Sequence, residues 1–187
     1  GVNKLSEDAT NGKLDSRADA EQFKGDFKAL VSGINGTLDA VISPLNVTAE
    51  YVDRISKGDI PPRITDDYKG DFNEIKNNLN QLIDIISSLT GDISKLSDDA
   101  TNGRLDNRAD HQKFQGEYSN LVKGINDTLD AIINPLNVTA EYVDRISKGD
   151  IPPRITDDYK GDFNEIKNNL NLCIDSINAL ILDTKTM

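Results

Sequence analysis

Apolar residues recur along this chain in alternating steps of three and four. One series runs Phe27, Val31, Ile34, Leu38, Val41, Leu45, Thr48, Val52, Ile55. A second runs Phe72, Ile75, Leu79, Leu82, Ile86, Leu89, Ile93, Leu96, Ala100. A third (Tyr118, Val122, Ile125, Leu129, Ile132, Leu136, Thr139, Val143, Ile146) copies the first 91 residues on. A fourth opens like the second, with Phe163, Ile166, Leu170, Cys173, Ile177 and Leu180. Steps averaging 3.5 residues put each series on one narrow stripe of a helix, the period of a coiled-coil seam. Each of the longer series implies a helix of about 30 residues, or ~45 Å at 1.5 Å rise.

Glycines punctuate this pattern. Gly12, Gly58, Gly103 and Gly149 each follow a periodic stretch and suit a C-terminal helix cap that needs positive φ. Beyond Gly58 and Gly149, Pro61-Pro62 and Pro152-Pro153 impose extended backbone. A connector of roughly 12 residues at ~3.3 Å each reaches back along a four-turn helix of ~22 Å, so the helices it joins can run parallel. Two apolar residues sit four apart in every connector: Leu14 and Ala18, Ile60 and Ile64, Leu105 and Ala109, Ile151 and Ile155. These are expected to plug the groove between the helices, each large aliphatic contributing on the order of 1.5–3 kcal/mol and each alanine much less. Pro44 and Pro135 fall inside periodic runs. Proline removes a helix hydrogen bond and clashes with the preceding turn, so a kink or short break is expected at both. Thr90-Gly91-Asp92 is weaker punctuation.

The chain is a repeat. The 37 residues from Pro44 to Asn80 recur letter for letter from Pro135 to Asn171. KLSEDATNGKLDSRAD from Lys4 answers KLSDDATNGRLDNRAD from Lys95. Each 91-residue unit divides again, because Gly25-Asp26-Phe27 returns as Gly70-Asp71-Phe72. The result is four modules alternating in type, A1, B1, A2 and B2, over residues 1–43, 44–90, 91–134 and 135–187, the first lacking the start of its first helix. An acidic residue opens the second helix of each: Asp26, Asp71, Glu117 and Asp162. That placement suits a helix N-terminus.

Composition narrows the function. Net charge is −11, which argues against nucleic acid and anionic membrane surfaces as partners. Aromatics are 5% with no Trp, so a bulky aromatic core or stacking platform is not expected, and 36% hydrophobic residues suit narrow seams. No apolar run approaches the ~18–20 residues of a membrane span, and no signal peptide is visible. The chain starts at Gly1 instead of Met, as an excised fragment would. The lone Cys173 cannot form an internal disulfide or a Cys zinc site, and the lone His111 excludes a site needing two imidazoles.

No Ser-His-Asp grouping, P-loop or dinucleotide-binding glycine pattern occurs, so no catalytic residue, cofactor or metal is expected. Asp66-Asp67 and Asp157-Asp158 read as solvated turn residues. A calcium loop with Gly70 at its sixth position would start on Thr65 and end on Lys76, which fails. Cys173 takes the seam position of Leu82 and reads as a buried packing residue, and His111 as an exposed polar one. The sequons at Asn35, Asn46, Asn126 and Asn137 lie on expected helices and are not read as glycosylation sites. Thr48 and Thr139 occupy seam positions, either bonding their own helix backbone or forming an imperfect layer that lets packing switch.

Helix, Gly-x-apolar-x-x-x-apolar connector, acidic start, second helix, repeated at about 45 residues, resembles the HAMP signalling domain. Pro44 and Pro135 match that family's proline near the head of its first helix. Gly58 with Ile60 and Ile64, and Gly149 with Ile151 and Ile155, match its connector. The whole chain resembles tandem, or poly-HAMP, arrays of bacterial chemotaxis receptors and sensor histidine kinases. Departures are Lys-Gly-Asp-Phe where the family often has Asp-Glu-x-Gly, and the small Ala18 and Ala109.

The resemblance implies an all-α, elongated parallel coiled-coil rod. Each module would pair with a second chain into a parallel four-helix bundle, so the chain's partner is itself, as a parallel homodimer. It implies a non-catalytic, cytoplasmic relay between flanking input and output domains, without membrane contact in this segment, whether or not the parent receptor is membrane-anchored. A passive dimeric spacer is the alternative.

Overall fold

The computed structural model describes residues 2–186, which hold α-helices and no strand. The helices are α1 (Val2–Thr10), α2 (Gly25–Ser56), α3 (Asp71–Thr101), α4 (Gly116–Ser147) and α5 (Asp162–Thr186). Two 3-10 turns, Ala20–Gln22 and His111–Lys113, sit in the first and third connectors. The three long helices of 32, 31 and 32 residues match the length that the apolar series require.

Two of these helices contain the prolines. Both α2 and α4 run unbroken through Pro44 and Pro135, so the short break expected there does not form. Each proline leaves the carbonyl four residues back without an amide donor. Those carbonyls belong to Ala40 and Ala131, both exposed and open to water. The Thr48 and Thr139 hydroxyls donate to the Pro44 and Pro135 carbonyls at 2.9 Å, the bond to their own helix backbone that one of their two readings expects. Gly91 likewise does not interrupt α3.

The chain divides into two compact units, residues 1–90 and 91–187. In the second unit the polar contacts fix the helix directions. Asp99, near the end of α3, bonds Arg104 and Asn107, and Asp92, further up α3, meets Lys113. The connector therefore runs back along α3. On its other side the His111 carbonyl accepts from Ser119, Ala109 pairs with Asn126, and Arg108 with Asp130. It runs antiparallel to α4 as well, so these parts of α3 and α4 are parallel. In the first unit Pro44, Val47 and Thr48 of α2 share a small crevice with Ile64, Phe72 and Leu79.

Each unit buries its own short list of apolar residues. The first buries Leu5, Val31, Ile42, Ile64, Leu79 and Ile83, and the second Leu96, Phe114, Val122, Ile133, Ile155 and Ile174. Ile42, Ile83, Ile133 and Ile174 lie one position beyond the strict three-four series. A helix facing a globular core needs a broader apolar stripe than a coiled-coil seam does, and these four isoleucines are that extra width. The series itself is left partly uncovered: Phe27 is 70% exposed, Val52 51% and Val143 52%.

Candidate functional site

The candidate site is the connector, built four times. Each begins where a helix ends on Gly12, Gly58, Gly103 or Gly149, with φ between 73° and 80°. At Gly58 the glycine N–H donates to the Ile55 carbonyl at 3.0 Å, and the next N–H, of Asp59, donates to the Arg54 carbonyl at 3.0 Å. This is the paired bonding of a Schellman cap, which needs a left-handed residue. The same two bonds close the other three helices. A second set of left-handed glycines was not singled out from the sequence: Gly25, Gly70, Gly116 and Gly161, at φ between 54° and 56°. They turn the chain into the second helices. The acidic residues that follow them, Asp26, Asp71, Glu117 and Asp162, are exposed in the first helical turn.

Between those glycines the connector is held by a device that apolar periodicity does not reveal. An asparagine ten residues after the second glycine spans the backbone of the second connector apolar residue. The Ile64 N–H donates to Asn80 Oδ1 at 2.7 Å, and Asn80 Nδ2 donates to the Ile64 carbonyl at 2.9 Å. Asn171 holds Ile155 the same way at 2.7 and 3.0 Å. Asn35 holds Ala18, and Asn126 holds Ala109, each pair at 3.1 and 2.8 Å. One side-chain amide thus supplies the donor and acceptor that a neighbouring strand would supply. The signal was present as an asparagine at the same place in all four modules. The residue before each clamped position is an arginine, and it pairs with an aspartate one turn beyond the asparagine. These pairs are Arg17–Asp39, Arg63–Asp84, Arg108–Asp130 and Arg154–Asp175.

The connector apolar pairs are unequal. Ile64 and Ile155 are buried, while Ile60, Ile151, Leu105, Ala18 and Ala109 are half-buried and Leu14 is exposed at 38%. Pro61 and Pro152, read above only as backbone stiffeners, are among the most completely buried side chains.

Electrostatics separates the two module types. Four residues before the capping glycine, B modules carry Arg54 and Arg145, and A modules carry Asp8 and Asp99. One residue after it the charges reverse, with Asp59 and Asp150 in B, Lys13 and Arg104 in A. Arg54 Nε meets Asp59 at 2.7 Å, as Arg145 meets Asp150. The arginine hydrogen bond holds each of these carboxyls below its ordinary pKa, and raises the arginine's in return. Asp99 is also held low, by hydrogen bonds from Arg104 and then Asn107, with its side chain only 7% exposed.

Two expectations change. Cys173 is exposed in the chain, not buried, because the inward position of α5 belongs to its neighbour Ile174. His111 is half-buried in the 3-10 turn, since the fold returns its backbone to Ser119, whose hydroxyl donates to its carbonyl at 2.9 Å. The aspartate pairs 66–67 and 157–158 are exposed, with Lys76 and Lys167 reaching the Asp66 and Asp157 carbonyls.

A HAMP domain family model matches residues 22–88 and again 113–179. The matches take in more than half of the chain, which belongs to the HAMP domain family. Each begins just before a long helix and contains one B connector. No solved structure matches the chain. HAMP domains are non-catalytic signal-relay modules of bacterial sensory receptors. Among the described residues no helix is long and apolar enough to cross a membrane.

Proposed function

We propose that this chain is a signal-relay segment working as a parallel homodimer, in which each module completes a four-helix bundle with its twin. The observation that carries this is the uncovered apolar stripe. Phe27, Val41, Leu45 and Val52 on α2 step along one helix face with large exposed areas, and Tyr118, Ile132, Leu136 and Val143 repeat it on α4. At roughly 25 cal/mol per Å2, covering such a stripe favours association. The chain then reads as four modules, 1–43, 44–90, 91–134 and 135–187. The A modules earn inclusion because Asn35 and Asn126 clamp their connectors as Asn80 and Asn171 clamp the B connectors. An input at one end changes helix rotation or tilt, and each long shared helix passes the change to the next module. The relay sits on the cytoplasmic side of its parent receptor, a chemoreceptor or a sensor kinase, between its input and output domains.

A passive dimeric spacer is the second reading, favoured by the unbroken passage of α2 and α4 through Pro44 and Pro135. It gives no reason for clamped connectors. The two separate in a full-length receptor carrying Ile60→Asp and Ile151→Asp. A relay loses its output response while the chain stays largely helical by circular dichroism. Unchanged signalling would leave the spacer reading standing.

A further inference from the structure

The four connectors are fastened to their second helices alike and to their first helices differently. Past the cap, the B1 connector bonds only α3: through Ile64 and Asn80, Arg63 and Asp84, and Lys76 with the Asp66 carbonyl. Among the described residues no hydrogen bond or ion pair joins residues 60–69 to α2. The B2 connector repeats this with Asn171, Asp175 and Lys167 of α5. Where the B1 connector meets the first helix the crevice is largely apolar, with Ile64 and Tyr68 against Pro44, Val47 and Thr48 of α2.

The A connectors bond both helices. Ser16 donates to Asp8 of α1 at 2.7 Å. Asn107 donates to Asp99 of α3 at 2.6 Å, and Lys113 adds an ion pair to Asp92. Ser16 and Asn107 both lie four residues after the capping glycine, where B modules have Pro62 and Pro153. Proline offers no donor, and the helix residue opposite is an arginine instead of an aspartate. The tether is therefore chemically impossible in B. Directional bonds fix a helix against its connector, whereas apolar contact is non-directional and tolerates sliding.

Resting on the relay reading, we infer that the two module types divide the work. In A modules Asp8 and Asp99 lock the connector to both helices as one body. In B modules the connector rides on the second helix, and the contact between first helix and connector is the joint at which packing changes. Asp8 and Asp99 are thus positioning residues that set where the relay bends. Asn80 and Asn171 make the B connector part of the second helix.

The test is pulsed electron paramagnetic resonance on the full chain in a Cys173→Ser background, labelled chains being diluted with excess unlabelled chain. Label pairs at Asn46 and Asp66, and at Asp66 and Asn77, report the two sides of the B1 connector. Pairs at Ser97 and Asp110, and at Asp110 and Lys123, report the A2 connector. The inference requires a broad or double-peaked distance distribution for Asn46–Asp66 alone, and single narrow peaks for the other three. Transplanting the A tether with Arg54→Asp, Asp59→Arg and Pro62→Asn should narrow the broad one. Removing it with Asp99→Ala and Asn107→Ala should broaden Ser97–Asp110.

Equal breadth on both sides of the B1 connector, or in A2 as much as B1, overturns the inference and leaves a moving relay intact. Narrow peaks everywhere overturn it together with the relay reading. If the triple variant fails to fold, the unmodified chain and the Asp99, Asn107 variant still decide.

Discussion

Asn80 is 5% exposed and spends both halves of its amide on the Ile64 backbone. Asn80→Ala strands a buried N–H and a buried carbonyl, at a cost of about 1–3 kcal/mol. Asn35→Ala should cost less, because Ala18 and Asn35 are only half-buried and water can replace the amide. Urea midpoints at constant slope measure both, and equal losses would contradict this reading of burial. Gly58→Ala is a different test. Nothing lies within 4 Å of the added methyl, so the only penalty is φ at +80°, about 1–2 kcal/mol. Asn at that position should recover part of it. Asp99 gives the pH dependence at this scale. Its carboxyl is held below the ordinary value of 3.8 in the folded chain. It therefore contributes stability that is present above the unfolded pKa and lost as pH falls through the lower folded one. Asp99→Asn should flatten the acid limb of stability against pH, read as urea midpoints from neutral pH downward. An unchanged limb would show that Asp99 is not protonated differently on unfolding. The capping glycines were legible because left-handed caps have a residue type of their own. The asparagine clamps were not, since an asparagine among other polar helix residues, as Asn80 is among Asn77, Asn78 and Gln81, says nothing of the backbone it will meet.

Among the elements, the helices were legible almost to their lengths, because a three-four alternation sustained over nine positions admits no other regular structure. The alternation showed only part of each apolar face. Ile42, Ile83, Ile133 and Ile174 escape it because each lies one position beyond the strict series, on the side of the helix that is buried within the single chain. Proline was misjudged for a related reason. A proline deletes one hydrogen bond and crowds one turn, which a 32-residue helix tolerates where the residue whose carbonyl is freed, Ala40 or Ala131, is exposed. Pro44→Ala should therefore raise the thermal midpoint, with about 3 kcal/mol as the upper limit from helix propensity. Pro135→Ala should behave alike, since its surroundings are copied. Circular dichroism melts measure both, and a lowered midpoint would mean that the ring's packing against the connector outweighs the restored bond.

At the scale of the whole molecule, a single chain leaves too much of its apolar stripe in water. Val52 and Val143 mark this best: each is about half exposed, on the same face as Leu45 and Leu136, which are about 40% exposed. An aspartate at either place stays solvated in a lone chain, and so leaves the chain's own buried residues undisturbed. In a dimer it would face its own twin across the seam, desolvated and opposed by a like charge. Val52→Asp with Val143→Asp should thus split the dimer. Light scattering should give twice the 20.5 kDa chain mass for the parent and a single chain mass for the variant. Lowering the pH toward the carboxylate range should restore association, because protonation removes the repulsion that divides the chains. A parent that stays monomeric at micromolar concentration would refute the stripe as an interface. So would a variant that remains dimeric at neutral pH, since a seam through these two positions cannot hold two unpaired carboxylates at each level.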